Sequence, residues 1–279
     1  MAEKGGCLTT VVLDATKPKG VLGGGLNQFV LSETIEILNE IKDHVAFELE
    51  IFSPCKEEVV SFSTIHLGKP YLQTHCFRGY PIHGSAWQFH QSQSDYILHL
   101  DCDMLFYEKD GFSWIKKGVE LMEQNEDILS VLPLGGPPTI DGSLCQGSTN
   151  YSVDREREIY LFKNFTSRHY LIHRKRFFEL LPMRPLWLSW REPIKSRLFG
   201  KGKMLCWESI VESSLEKSNR WRADLKTDLA WSLHPGDRSE KFYNLLPEII
   251  KSVNRNEFPD EQRGHFDLCL DRWESFLNK

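Results

Sequence analysis

The sequence predicts an α/β protein with a mostly parallel central sheet and helices on both faces. Three observations carry that expectation. A β-branched apolar run, a glycine-rich turn region, an amphipathic stretch and a second apolar run follow one another within residues 8–52, the order of a βαβ unit. Strand-like and helix-like stretches keep alternating as far as residue 132. The clearest apolar strand, residues 95–100, runs directly into Asp101-Cys102-Asp103, and open α/β sheets bind ligands at the carboxyl ends of their strands.

The first strand covers residues 8–13 and ends in Asp14. Pro18 and Gly23-Gly24-Gly25 mark the following stretch as turn. Apolar residues at Val30, Leu31, Ile35, Leu38 and Ile41 give a helix over 27–44. A strand over 46–52 stops at Ser53-Pro54, and the β-branched run 59–65 reads as a short strand. A helix is expected over 84–93, the strand over 95–100, a helix over 112–124 and a strand over 128–132. The breaker run Gly135-Gly136-Pro137-Pro138 then divides the chain into an amino half, 1–134, and a carboxyl half, 135–279, sharing one sheet. Beyond it lie a strand at 170–172, a short helix over 176–182 and a tryptophan-containing loop around 187–202. A helix over 207–217, a strand at 229–233 and helices over 243–254 and 261–277 complete the chain.

Composition narrows the function classes. Of 279 residues 41% are hydrophobic and 26% charged, ordinary for a folded protein. The net charge of −5 argues against a general nucleic-acid-binding surface. Seven scattered cysteines without a CxxC pair argue against a disulfide framework or a zinc knuckle and fit a reducing compartment. No window has the roughly 18–20 apolar residues of a membrane span, and no signal core follows Met1. The expectation is a soluble cytoplasmic protein with no transmembrane segment, a description compatible with peripheral attachment to a membrane.

Asp101 and Asp103 are the most informative residues. Side chains at i and i+2 point the same way along a strand. Where the chain leaves the sheet, the two carboxylates can converge on one hard cation, Mg²⁺ or Mn²⁺, together with phosphate and water. Met104, Leu105 and Phe106 follow, so the pair is not part of a solvated acidic run. A chance Asp-x-Asp is expected about once in such a chain. The position therefore leaves two readings open: a metal–phosphate site, or a turn with a helix-capping aspartate.

A strand running into Asp101-Cys102-Asp103, a Rossmann-like amino half and a later helix with an acidic start resemble the GT-A class of nucleotide-sugar-dependent glycosyltransferases, closest to the inverting family-2 type. The resemblance spans about residues 8–234, and only the Asp-x-Asp segment is sharp. It implies a Rossmann-like GT-A fold, with Asp101 and Asp103 binding Mn²⁺ or Mg²⁺ and His234 of Trp231-Ser-Leu-His234-Pro235 completing the metal shell. It implies a UDP-sugar, or a GDP-sugar, as donor and a glycan or small molecule as acceptor. Asp14, Ala15, Thr16 and Ser53 would line the nucleotide pocket. Trp87 would join them, in a segment, Gly84-Ser85-Ala86-Trp87, that lacks the family's Arg-Asn pair. Glu208, in Cys206-Trp207-Glu208, falls where inverting members carry the catalytic base.

Each assignment has a plainer counterpart. Glu208 also suits a first-turn helix acid, and His234 a satisfied turn histidine. Trp187, Trp190, Trp207 and Trp221 suit packing as well as sugar stacking. Arg168, Arg174 and Arg176 suit a solvated face as well as a diphosphate. A sugar-nucleotide nucleotidyltransferase, a non-catalytic nucleotide-sugar-binding protein and a metal-dependent phosphohydrolase are the competing functions. The loop after the first strand does not follow the nucleotidyltransferase order.

Overall fold

The computed structural model describes residues 10–14, 31–42, 48–145 and 150–278. In chain order its strands are β1 (Thr10–Asp14), β2 (Glu48–Phe52), β3 (Tyr96–Leu100), β4 (Leu105–Glu108), β5 (Ile128–Leu132), β6 (Leu134–Gly135), β7 (Tyr151–Asp154), β8 (Ile159–Phe162), β9 (His169–His173), β10 (Trp221–Leu225) and β11 (Ala230–Leu233). The helices are α1 (Leu31–Lys42), α2 (Lys56–Leu67), α3 (His83–Gln91), α4 (Trp114–Gln124), α5 (Arg174–Phe178), α6 (Glu192–Phe199), α7 (Trp207–Lys217), α8 (Glu240–Asn254) and α9 (Leu270–Leu277). Among the described residues no helix is long and apolar enough to cross a membrane. Two compact units result, each drawn from two stretches of chain: Met1–Gln93 with Leu181–Val211, and Ser94–Leu180 with Glu212–Lys279. Position 134, the expected division, falls inside the second unit.

In the first unit β1 and β2 pair in parallel, from Thr10 opposite Glu48 to Asp14 opposite Phe52. Residues 59–65, expected as a strand, lie instead within α2. Their β-branched content is outweighed by the local end signals. The Cys55 N–H donates to the Glu58 carboxylate at 2.7 Å in a capping box. Gly68, at φ 70°, closes the other end in the left-handed conformation. Val59, Ser63, His66 and Leu67 form the buried face, at helical spacing. That face packs with α3 around Phe62, whose ring centroid lies 5.0 Å from that of His90 and 6.4 Å from that of His83. His66 Nε2 lies 2.7 Å from His90 Nε2. Burial, reinforced by His90 and His83, holds His66 far below its ordinary value, at about 3. Burial, with His75 nearby, holds His83 at about 4.

The second unit contains a six-stranded sheet in the order β3-β9-β5-β10-β8-β7. Of its pairings only β5 with β10 is parallel. The architecture is thus α/β, as expected, while the expectation of a mostly parallel central sheet fails. Its physical reason is that antiparallel neighbours require no helical crossover. The short turn between β7 and β8, with Glu158 at φ 54°, makes one hairpin. β9 enters between β3 and β5 and opposes both. β5 and β8 are buried along their whole length, and full burial gives the same apolar pattern whichever way a neighbour runs.

β10 was hidden in the sequence by its charges. Arg222 and Asp224 are both buried and paired at 2.8 and 3.0 Å on one face of the strand. The guanidinium also lies 4.1 Å from the Phe162 ring centre. α4 covers the sheet closely at Gly118, where an added Cβ would stand 2.9 Å from Leu171 Cδ2 and 3.2 Å from Val131 Cβ.

A smaller sheet, β4-β11-β6, carries the second apolar layer. Leu233, Phe242, Ile249 and Trp273 are buried there, and burying such a side chain stabilises by roughly 1.5–3 kcal/mol. The carboxyl-terminal helix expected over 261–277 is broken. A 3₁₀ turn, Asp260–Gln262, and Gly264 at φ 73° precede α9. Buried Gln262 explains the break, because its amide makes four hydrogen bonds within the interrupted segment. Nε2 donates to His265 O and Asp267 O, and Oε1 accepts from Cys269 N and Trp273 Nε1, all within 2.8–3.0 Å.

Gly136 has φ 86°, and a Cβ there would lie 2.2 Å from the His265 carbonyl oxygen. Gly111 has φ 80° and open space around it. In urea titrations Gly136→Ala should therefore cost clearly more than the roughly 1–2 kcal/mol of left-handed strain expected for Gly111→Ala; equal losses would refute the close approach. His66 and His83 stay neutral when folded but bind protons near 6.5 when unfolded. Unfolding then takes up protons, so stability is intact above about pH 7 and falls as pH drops from 6.5 towards 4. The urea midpoint should fall between pH 7.5 and 5, and a flat profile would contradict the burial of these rings.

Candidate functional site

β3 delivers the acidic turn. The β3–β9 ladder ends with Leu100 opposite His169 and gains one more bond, from the Asp101 N–H to the Arg168 carbonyl at 2.7 Å. The chain then turns tightly, with Met104 N–H donating to Asp101 O at 3.2 Å, and enters β4. Asp101 and Asp103 both stand in this turn. Asp101 Oδ1 lies 3.1 Å from His99 Nε2, and the His99 ring stacks on Tyr170 at 4.9 Å. Asp103 Oδ2 accepts from the Arg238 guanidinium, while Asp103 Oδ1 is buried without a hydrogen-bond partner.

The smaller sheet brings His234 to the same place. β11 runs antiparallel to β4 with Leu233 opposite Leu105. One step beyond this pair, each chain leaves the ladder: β11 into His234, and β4 back into the acidic turn. His234 is held at its backbone by Phe266 O at 2.9 Å and by Leu268 N–H at 2.9 Å. Its ring stacks on Phe266 at 5.9 Å. Nδ1 lies 2.8 Å from Asp267 Oδ1, and Nε2 faces the Arg168 guanidinium. A guanidinium only donates, so Nε2 is the acceptor and Nδ1 carries the proton given to Asp267. Arg168 thus joins the two predicted parts, binding the Asp101 backbone through its carbonyl and His234 through its side chain.

This geometry bears on a divalent cation. Two carboxylates and one imidazole nitrogen suit a hard or borderline ion. An orphaned, buried carboxylate oxygen is costly unless a cation satisfies it. The Asp267–His234 bond is the outer-shell arrangement that points an imidazole lone pair at a metal. Two guanidiniums meet these groups here, and among the described residues no three His, Cys, Asp or Glu side chains are grouped closely enough to hold an ion. The residues fit a cation in kind, and Arg168 and Arg238 would have to give way to it.

The remaining predicted residues belong to the first unit or lie outside the described residues. Asp14 ends β1 and stands opposite Phe52, but its side chain, with Ala15, Thr16 and the glycine run 23–25, lies outside them. Ser53 is exposed immediately after β2. Trp87, on α3, packs against Phe52 at 5.4 Å between ring centres. Trp87 therefore packs at the carboxyl end of the parallel pair, on the residue that precedes Ser53. Glu208 is half-buried in the first turn of α7, next to buried Trp207, whose ring lies 5.8 Å from His66.

Other candidates resolve into packing. Arg176 donates to the carbonyls of Met122, Asn125 and Ile128 and so closes the end of α4. Trp187 packs on Tyr71 at 5.0 Å, and Lys163 sits 3.9 Å above Trp221. A cleft of about 300 Å³ beside Asp141, Tyr160 and Lys226 shares no residue with the acidic turn. Sequence reading missed Arg238 and Asp267, whose only signal was nearness to residues that became important by folding. No family model matches the chain, and a search of curated proteins finds no match.

The tautomer of His234 is directly measurable. Long-range ¹H–¹⁵N NMR spectra should show Nδ1 protonated and Nε2 bare, and Asp267→Asn should weaken that preference. A spectrum with the proton on Nε2 would overturn the Arg168–His234–Asp267 arrangement.

Proposed function

We propose that the protein is a metal-dependent glycosyltransferase that moves a sugar from a nucleoside-diphosphate sugar, with UDP favoured over GDP, to an acceptor hydroxyl with inversion. The observation that carries this reading is the β4–β11 register, which sets the segment leading into His234 opposite the segment leaving the Asp101–Asp103 turn, together with Asp103 Oδ1, buried and unmatched. The resemblance of the Asp-x-Asp strand to GT-A enzymes supports the same conclusion. Asp101, Asp103 and His234 would hold Mn²⁺ or Mg²⁺. When bound, such an ion would neutralise charge on the departing nucleoside diphosphate.

The chain's own residues take the other roles. Asp267 keeps the Nδ1 proton on His234 and leaves Nε2 able to accept. Ser53 and Trp87, at the carboxyl end of the parallel pair, would line the nucleotide pocket. Glu208 would accept the acceptor's proton as the oxygen attacks the anomeric carbon and the bond to the diphosphate oxygen breaks. A glycan or a small metabolite would serve as acceptor.

One observation favours a second reading. Arg238 and Arg168 engage Asp103 and His234, which suits a nucleotide-sugar-binding protein that recognises its ligand without turning it over. The two readings separate in one experiment. A panel of UDP-, GDP- and dTDP-sugars is screened by thermal shift and by hydrolysis, with and without Mn²⁺. Under the enzyme reading one nucleotide sugar stabilises the wild type only with Mn²⁺, by about 2.7 kcal/mol at roughly a hundredfold over Kd, and Asp103→Ala loses the effect. Glu208→Gln should keep the shift while slowing transfer about a hundred- to ten-thousandfold. Stabilisation without turnover selects the binding protein. No shift with any nucleotide sugar, in wild type or Asp103→Ala, makes the acidic turn structural.

A further inference from the structure

α6 presents the opposite of an ordinary surface helix. Its inward positions are polar: Glu192 and Ser196, one turn apart, are buried. Its outward ridge is apolar, with Ile194 54% and Leu198 64% exposed, again one turn apart. Phe199 and the preceding Leu188 and Trp190 extend the ridge at 67%, 52% and 74% exposure. Burial of a helix normally removes such residues from water, and five large apolar side chains left outside in twelve residues need a partner.

The local packing shows that this orientation is built in. Glu192 is tied inward by the Lys203 N–H at 2.9 Å and by Lys195 Nζ at 2.8 Å. Gly202 crosses beneath the helix so closely that a Cβ there would lie 2.4 Å from Glu192 O and 2.7 Å from both Ser196 Cβ and the Trp187 ring. Gly200, at φ 61°, caps the helix with its N–H on Ser196 O at 2.9 Å. Rolling the apolar ridge inward would break the Glu192–Lys203 bond and the close approach of Gly202.

The charge around the ridge identifies the partner. Residues 184–203 carry Arg184, Arg191, Lys195, Arg197, Lys201 and Lys203, all exposed, and a single acid, the buried Glu192. This stretch has a net charge of +5 in a chain whose total is −5. On the helix, Arg191 and Lys195 flank the ridge on one side and Arg197 on the other. An interface with a second copy would press two such rims together, which is unfavourable. A nucleic acid would answer the cations but leave the aliphatic ridge in water.

We propose that α6 and the adjoining Leu188–Trp190 segment form a docking surface for an anionic lipid membrane. The ridge enters the headgroup boundary, the six cations meet lipid phosphates, and Trp190 lies at the interface. This assignment is independent of the chemistry at the acidic turn.

The test is flotation of the full chain with phosphatidylcholine vesicles, with and without phosphatidylglycerol. The wild type should float only with the anionic vesicles and be released by salt. Ile194→Glu with Leu198→Glu should abolish flotation, and Ile194→Ser with Leu198→Ser should give the same loss without added charge. Arg184→Glu with Lys201→Glu, which replaces two exposed cations of the rim, should weaken partitioning at least about tenfold. Because all four side chains are exposed, circular dichroism and melting temperature should match the wild type. A wild type that stays behind with both vesicle types overturns the proposal, as does a ridge variant that floats like the wild type. A wild-type dimer that the serine variant converts to monomer, with no vesicle binding, assigns the ridge to a second copy and overturns it too.

Discussion

The antiparallel pairing of β4 with β11 is the constraint on which the candidate site depends. With Leu233 opposite Leu105, the residue that leaves β11 and the residues that precede β4 emerge at the same end of the smaller sheet. A slip of one residue would exchange the faces of every β11 side chain. Trp231 and Leu233, now fully buried in the second apolar layer, would then face the other way. The apolar packing of α8 and α9 therefore enforces a register that also places His234 beside the acidic turn. Core packing and site geometry are one structural decision.

Around that register the polar groups form a continuous chain of contacts. Gln262, its four hydrogen bonds satisfied, shapes the segment that carries Asp267. Asp267 orients His234, whose other nitrogen meets Arg168, and Arg168 accepts the Asp101 N–H. Arg238 closes the circuit on Asp103. The network runs from buried Gln262 and His234 out to exposed Asp267 and Arg238, and its one unmatched atom is informative. Asp103 Oδ1 stands without a partner although Arg238 matches the other oxygen of the same carboxylate, so the arrangement has capacity for one more positive group. The proposed reading assigns that capacity to a divalent cation.

The first unit illustrates how local and tertiary forces divide the work. In α2 the capping box at Cys55–Glu58 and the left-handed Gly68 override a β-branched run, because end signals decide how unsatisfied backbone groups are matched. In α6 the reverse holds. Tight contacts at Gly202 and Glu192 fix a helix whose apolar residues face outward, and the sequence there reads as a tryptophan-bearing loop. The two cases differ in where the decisive atoms lie: within one turn for α2, and ten residues away for α6.

Much of the secondary structure was legible because its determinants are short in range. The helices α1, α3, α4, α7 and α8 follow from apolar spacing, and β2, β3, β5 and β11 from compact β-branched or apolar runs bounded by breakers. The acidic pair and His234 were also visible, being unusual residue types at the ends of readable strands. Strand direction was not legible, since a buried apolar run has the same pattern in parallel and antiparallel neighbours. β10 was not legible because Arg222 and Asp224 neutralise one another only once both are buried against Phe162. Arg238 and Asp267 gained meaning only from partners 135 and 33 residues away. By itself the sequence determined which segments are regular and which residues are chemically poised, because those depend on neighbours a few positions apart. The tertiary structure alone decided strand order, register and the partners of each charged group, because contacts across long stretches of chain leave no periodic trace in it.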